Sequence, residues 1–137
     1  MKRTLNTCLA VLLVVVPTAF AEWALVPLVE LLKKTDVIVV ARLTAVRERT
    51  KKGVDYGSGT LSVTEVIRGG AKTGDKLRLE WSNSCELVCP RVEHGPYEGK
   101  TVIWLLQRST NGAVRADYPG RVLDLKSRGV LDALLKK

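Results

Sequence analysis

The chain has little of what most hydrolytic enzymes use. Its 137 residues include one histidine, His94, one phenylalanine and three cysteines, and aromatic residues make up 5% of the whole. A Ser or Cys hydrolase needs a nucleophile, a base and an orienting group within reach of one another. One histidine leaves a single imidazole for that work. No serine sits in a nucleophile-elbow pattern, and Tyr56-Gly57-Ser58-Gly59 is not one. The chain is therefore read as non-catalytic. Only acids converging in a deep pocket, as glycoside hydrolysis requires, would revive an enzyme reading.

Long apolar runs are also scarce. The one continuous run is Leu9 to Val16, which follows Met1-Lys2-Arg3 and precedes Pro17 and Thr18. Ala19-Phe20-Ala21 then has the small-x-small form read by signal peptidase. Charge, apolar run and small-residue exit occur in the order of a secretory signal. The run is too short to span a bilayer core of roughly 30 Å. Cys8 precedes most of the run, which argues against a lipoprotein anchor. Residues 1–21 are thus expected to be a signal peptide, and 22–137 a single exported domain, periplasmic or secreted, with no membrane span after cleavage.

Acids are in the minority. The chain holds 22 Lys and Arg against 14 Asp and Glu. Removing Lys2 and Arg3 takes the basic count to 20, so the mature charge is +6. That surplus suits a soluble cationic protein, and it leaves open an unknown protein or an anionic envelope partner. The dense basic stretches are Arg47-Glu48-Arg49-Thr50-Lys51-Lys52 and Lys136-Lys137. Neither interleaves with aromatics as a nucleic-acid platform does, so nucleic acid is not expected.

Hydropathy patterning predicts a β-rich domain with a helix at each end. Leu28, Leu31 and Leu32 share one face of a helix over 23–34, with Pro27 in its first turn. Val37-Ile38-Val39-Val40 opens a long strand over 36–50 and is expected to be buried on both faces. Leu43 and Ala45 should then face one side and Thr44 and Val46 the other. Three glycines in 51–59 predict a hairpin loop. Strands follow over 60–67, 76–81 and 101–107. In the second of these Leu77, Leu79 and Trp81 alternate with Lys76, Arg78 and Glu80. Asn111-Gly112 marks a tight turn into a strand over 113–118. A short strand over 121–125 and a helix over 127–137 finish the chain, the helix with Val130, Leu131, Leu134 and Leu135 on one side.

Five or six short strands resolve their exposed edges most easily by closing into a small barrel. The layout resembles bacterial exported proteins with a TIMP-like or netrin-module OB-fold. The carrying segments are Thr35-Asp36-Val37-Ile38-Val39-Val40-Ala41-Arg42-Leu43, Thr64-Glu65-Val66-Ile67-Arg68-Gly69-Gly70 and Glu98-Gly99-Lys100-Thr101-Val102-Ile103-Trp104-Leu105. The resemblance spans 36–125 and implies a small five- to six-stranded OB-like barrel. Animal inhibitors of that fold chelate zinc through an N-terminal Cys. The expected mature terminus here is Glu22-Trp23, so protease inhibition is not implied.

Cys85-Glu86-Leu87-Val88-Cys89-Pro90 is the most chemically suggestive stretch. Two cysteines in an exported domain read first as a disulfide, here one that pins a small loop. The alternative is a periplasmic metal-handling or thiol-redox site. C-x-x-x-C-P resembles the copper motif of exported copper chaperones, and Cys85, Cys89 and His94 would suit Cu(I) or zinc. His94 beside Gly95-Pro96 otherwise reads as an exposed loop residue. Trp81 and Tyr97 are the candidate ligand contacts. Alternation places Trp81, Trp104 and Tyr118 in the core or barrel wall, and Tyr97 lies in a loop. No resident cofactor is expected under the leading reading, that of a small binding module.

Overall fold

The computed structural model describes residues 26–82 and 93–137. Its strands form where β-branched residues concentrate. They are β1 (Val37–Lys51), β2 (Val54–Arg68), β3 (Lys76–Ser82), β4 (Thr101–Arg108), β5 (Val114–Arg115) and β6 (Val122–Leu123). Two helices flank them, α1 (Leu28–Lys33) and α2 (Arg128–Leu135). Single turns of 3-10 helix cover Gly95–Tyr97, Pro119–Arg121 and Leu125–Ser127. Among the described residues no helix is long and apolar enough to cross a membrane.

The six strands make one mixed sheet in the order β1-β2-β3-β5-β4-β6. A further antiparallel pairing joins β1 to β4, from Val37 opposite Leu106 to Arg42 opposite Thr101. Pairing therefore runs in a ring through five strands. The ring's one parallel step is β3 to β5, held by Leu79 opposite Val114. β6 pairs with β4 alone.

The expectation that Val37-Ile38-Val39-Val40 is buried on both faces holds for a specific reason. Side chains alternate across a strand. Val37, Val39, Ala41 and Leu43 join the larger apolar cluster with Leu61, Val63, Leu79, Trp81, Trp104 and Leu106. Ile38 and Val40 point the other way and pack with Ile103, Leu105, Leu32 and Leu131. The two terminal helices thus cover the outer faces of β1 and β4. Val130 is the exception on α2: it is 61% exposed, so the expected four-residue apolar face is narrower than the sequence implies.

Two arginines tie α1 to the sheet. Arg68 Nη2 donates to the carbonyls of Leu32 and Thr35, both at 2.8 Å. Arg121 is buried and donates to Thr35 Oγ1 at 3.0 Å and to the carbonyls of Leu105 and Lys34 at 3.3 Å. Burial pushes the Arg121 guanidinium below its ordinary value, and Asp117 and Asp36 pull it back up. A helix end leaves its last carbonyls without intrahelical partners, and these guanidiniums supply them.

Several boundaries differ from the sequence reading. α1 begins at Leu28, with Pro27 before it. The expected strand over 113–118 contracts to Val114–Arg115. The largest change is in 51–59, which is not a loop. β1 and β2 turn over through Lys52 (φ 51°) and Gly53 (φ 75°) alone, and β2 begins at Val54. A two-residue turn with both φ values positive matches the right-handed twist of a hairpin. Gly57 and Gly59 are packing residues within the strand. A Cβ on Gly57 would overlap the Trp81 ring, and one on Gly59 would meet Leu43 Cδ1 at 2.7 Å.

The alternation through Ala45 also breaks. The β1–β2 register shifts between Thr44, opposite Thr60, and Arg47, opposite Ser58. Ala45 and Val46 together oppose one residue, and Ala45 sits at φ 54°. This is a β-bulge. It turns Ala45 to solvent and packs Val46 against the larger cluster, the reverse of the expected faces. Val46 N–H donates to Glu98 Oε1 at 3.1 Å.

Candidate ligand-binding cleft

Beyond the bulge, the β1–β2 hairpin carries alternating charges on an exposed tip. Arg47, Glu48 and Arg49 pair with Ser58, Gly57 and Tyr56 in turn. β3 continues the row on the other side, with Ser82 opposite Tyr56, Trp81 opposite Gly57 and Glu80 opposite Ser58. A half-open cleft of about 460 Å³ is lined by these nine residues and by Arg115 of β5.

The charges in the cleft differ in how far they are already engaged. Glu80 is bound twice: Arg78 Nε lies 3.0 Å from Oε1, and Asn111 Nδ2 donates to Oε2 at 3.1 Å. Arg115 donates to Asp117 Oδ2 at 2.6 Å and to Ser82 Oγ at 3.1 Å. Arg49 lies over the Tyr56 ring, 5.8 Å from its centroid. Among the described residues Arg47 has no hydrogen-bond or ion-pair partner, and Arg49 has only that ring. A guanidinium carries five N–H donors in a rigid fork suited to carboxylate and phosphate. The cleft thus offers two open forks beside an aromatic face and the hydroxyls of Ser58 and Ser82.

The cleft floor is the outermost ring of a buried stack. Trp81 is 6% exposed and its ring covers Gly57. The His94 imidazole stacks on it with centroids 4.5 Å apart and planes 12° from parallel. Trp104 follows His94 at 6.0 Å and the same 12°. Tyr97 meets Trp104 edge-on at 5.9 Å. Trp104 Nε1 donates to the carbonyl of Ala41 at 3.1 Å, which satisfies its buried N–H.

This arrangement places the residues singled out in the sequence. Trp81 does line the cleft. Tyr97 is half-buried against Trp104 and does not line it. His94 is fully buried between two indoles and is not the exposed loop residue expected from Gly95-Pro96. Neighbouring aromatic faces, unseen in the local sequence, draw it inward. Cys85 and Cys89, whether as a disulfide or as copper or zinc ligands with His94, lie outside the described residues, as does the expected signal peptide. Among the described residues no three His, Cys, Asp or Glu side chains are grouped to hold a metal ion. Arg47, Arg49, Tyr56 and Arg115 were missed as site residues; the signal available was the dense basic stretch at 47–52.

No family model, curated protein or solved structure matches the chain.

Proposed function

We propose that the protein is an exported, non-catalytic binding module on an OB-like barrel, and that its cleft takes an anionic partner. The observation that carries this reading is the pair of open guanidiniums, Arg47 and Arg49, beside Tyr56. Three further features support it. The strand order, with β1 rejoining β4 and a parallel β3–β5 step, matches a five-stranded OB barrel, whose second and third strands and first hairpin form the usual ligand face. The cleft lies on that face. The mature net charge of +6 attracts anions at long range. The one histidine is enclosed between indoles.

Carboxylated glycan is the partner chemistry that the cleft suits. Arginine forks pair bidentately with carboxylates, and the exposed Tyr56 ring offers apolar surface to a sugar. Oligogalacturonate is a suitable probe. The test is titration of the mature protein with it, read by tryptophan fluorescence. Saturable binding that weakens with salt is expected, and R47E/R49E should weaken it at least tenfold. Absence of binding by the wild-type protein, or equal binding by the variant, would overturn the reading.

A further inference from the structure

A second concavity lies on another part of the fold and owes nothing to the arginine cleft. α1 and α2 both pack on the outer faces of β1 and β4. Between them runs a groove of about 480 Å³. Its walls are aliphatic: Val29 and Leu32 from α1, Leu134 and Leu135 from α2. The charged side chains at the groove are Lys33, Arg68 and Lys137, all cations.

We propose that this groove binds a single-chain anionic amphiphile, an alkyl chain with a carboxylate head of the fatty-acid class. The volume lies within the roughly 300–1,000 Å³ of small-molecule sites. The walls are aliphatic, which suits a methylene chain. An extended peptide would bring backbone N–H and C=O groups that need partners, and the leucine and valine side chains provide none. A bilayer presents a broad surface, whereas this site is a recess.

The cations fix the sign of the head group. Arg68 is held at the groove by its bonds to the Leu32 and Thr35 carbonyls through Nη2, and among the described residues its Nη1 and Nε make no hydrogen bond. Lys33 pairs with Glu30 at 2.7 Å, but both side chains are more than half exposed, and such a pair is weakly held. A carboxylate head can exchange for Glu30 there. Val29, 45% exposed, is the wall residue that a bound chain would cover.

The test is calorimetric titration of the mature protein with dodecanoate below its micelle concentration, with methyl NMR to locate the site. Saturable one-to-one binding is expected, with shifts confined to Val29, Leu32, Leu134 and Leu135. Decanoate should bind several-fold more weakly, since each buried methylene contributes about fourfold at most. V29E alters an exposed position, so it should keep the native spectrum elsewhere and lose at least tenfold in affinity; K33E/K137E should lose several-fold. The proposal is overturned if dodecyltrimethylammonium binds as tightly as dodecanoate, if the shifts fall elsewhere, or if V29E binds normally. Binding to phosphatidylglycerol vesicles without binding of monomeric dodecanoate would also overturn it, in favour of a membrane surface.

Discussion

Gly57→Ala should destabilise this protein far more than a single methyl group normally would. The backbone itself permits alanine, because Gly57 lies outside the left-handed region. In a strand interior the change would ordinarily stabilise by roughly 0.5–1 kcal/mol. Here the new Cβ would overlap Cε2, Nε1 and Cζ2 of the Trp81 indole. The indole is the group in the way, and it is held 4.5 Å from His94. Overpacking of this kind costs about 1–3 kcal/mol. Displacing the ring also weakens an aromatic stack worth about 0.5–1.5 kcal/mol. The expected net loss is about 2–3 kcal/mol. With a urea slope of roughly 2 kcal/mol/M, the midpoint falls by about 1 M or more. The companion variant supplies the control. In a Trp81→Leu background the obstruction is gone, and Gly57→Ala should become neutral or slightly stabilising. The double-mutant cycle would then show a coupling of at least about 2 kcal/mol. A loss below about 0.5 kcal/mol in the wild-type background, or the same loss in both, would refute the claim that Gly57 exists to seat Trp81.

Two further outcomes follow from the charged groups that brace the helices. Arg121→Met should destabilise by about 2–3 kcal/mol in urea unfolding, because Thr35 Oγ1 and the Leu105 and Lys34 carbonyls lose a shared donor. Arg121→Lys should recover only part of this, since an ammonium lacks the planar fork. Glu65 accepts a hydrogen bond from Arg128, with the ion pair at 2.7 Å, and this holds its carboxyl below the ordinary glutamate value. A depressed folded-state value means that the contribution is present above the unfolded pKa and is lost as pH falls through the folded one. Both side chains are substantially exposed, so screening limits the effect to well under about 1 kcal/mol. Glu65→Gln should therefore slightly flatten the decline of melting temperature between about pH 5 and pH 3, and high salt should erase the difference.

Much of the sheet was legible because burial here follows simple alternation. β3 buries Leu79 and Trp81 and wets Lys76 and Arg78, as a one-sided strand must. The β-branched start of β1 faces apolar groups on both sides, and its sequence carries no polar interruption. The failures share one cause. Glycine was read as a signal about its own backbone, yet Gly57 and Gly59 serve side chains on neighbouring strands. Those neighbours, Trp81 and Leu43, are 24 and 16 positions away, so no local window contains them. The bulge at Ala45 is equally silent. Alanine at φ 54° is disfavoured locally and persists because pairing on both sides fixes the register.

The cleft was hidden for the same geometric reason. The stretch 47–52 carries four basic residues and no aromatic, and by composition it is merely a solvated charged segment. Its aromatic component arrives across the sheet. Register sets Tyr56 opposite Arg49, and β3 sets Trp81 opposite Gly57, one strand further in. The bulge contributes as well, because an extra residue in β1 increases the local twist and re-aims the hairpin tip. Deleting Val46 would remove the two-against-one step and restore plain alternation. Arg47 would stay opposite Ser58 and Arg49 opposite Tyr56, because the removed residue has no partner of its own on β2. The hairpin would keep its charge and its pairing but lose the added twist that aims its tip. Loss of anion binding in that deletion, with the fold retained, would separate the role of geometry from that of net charge.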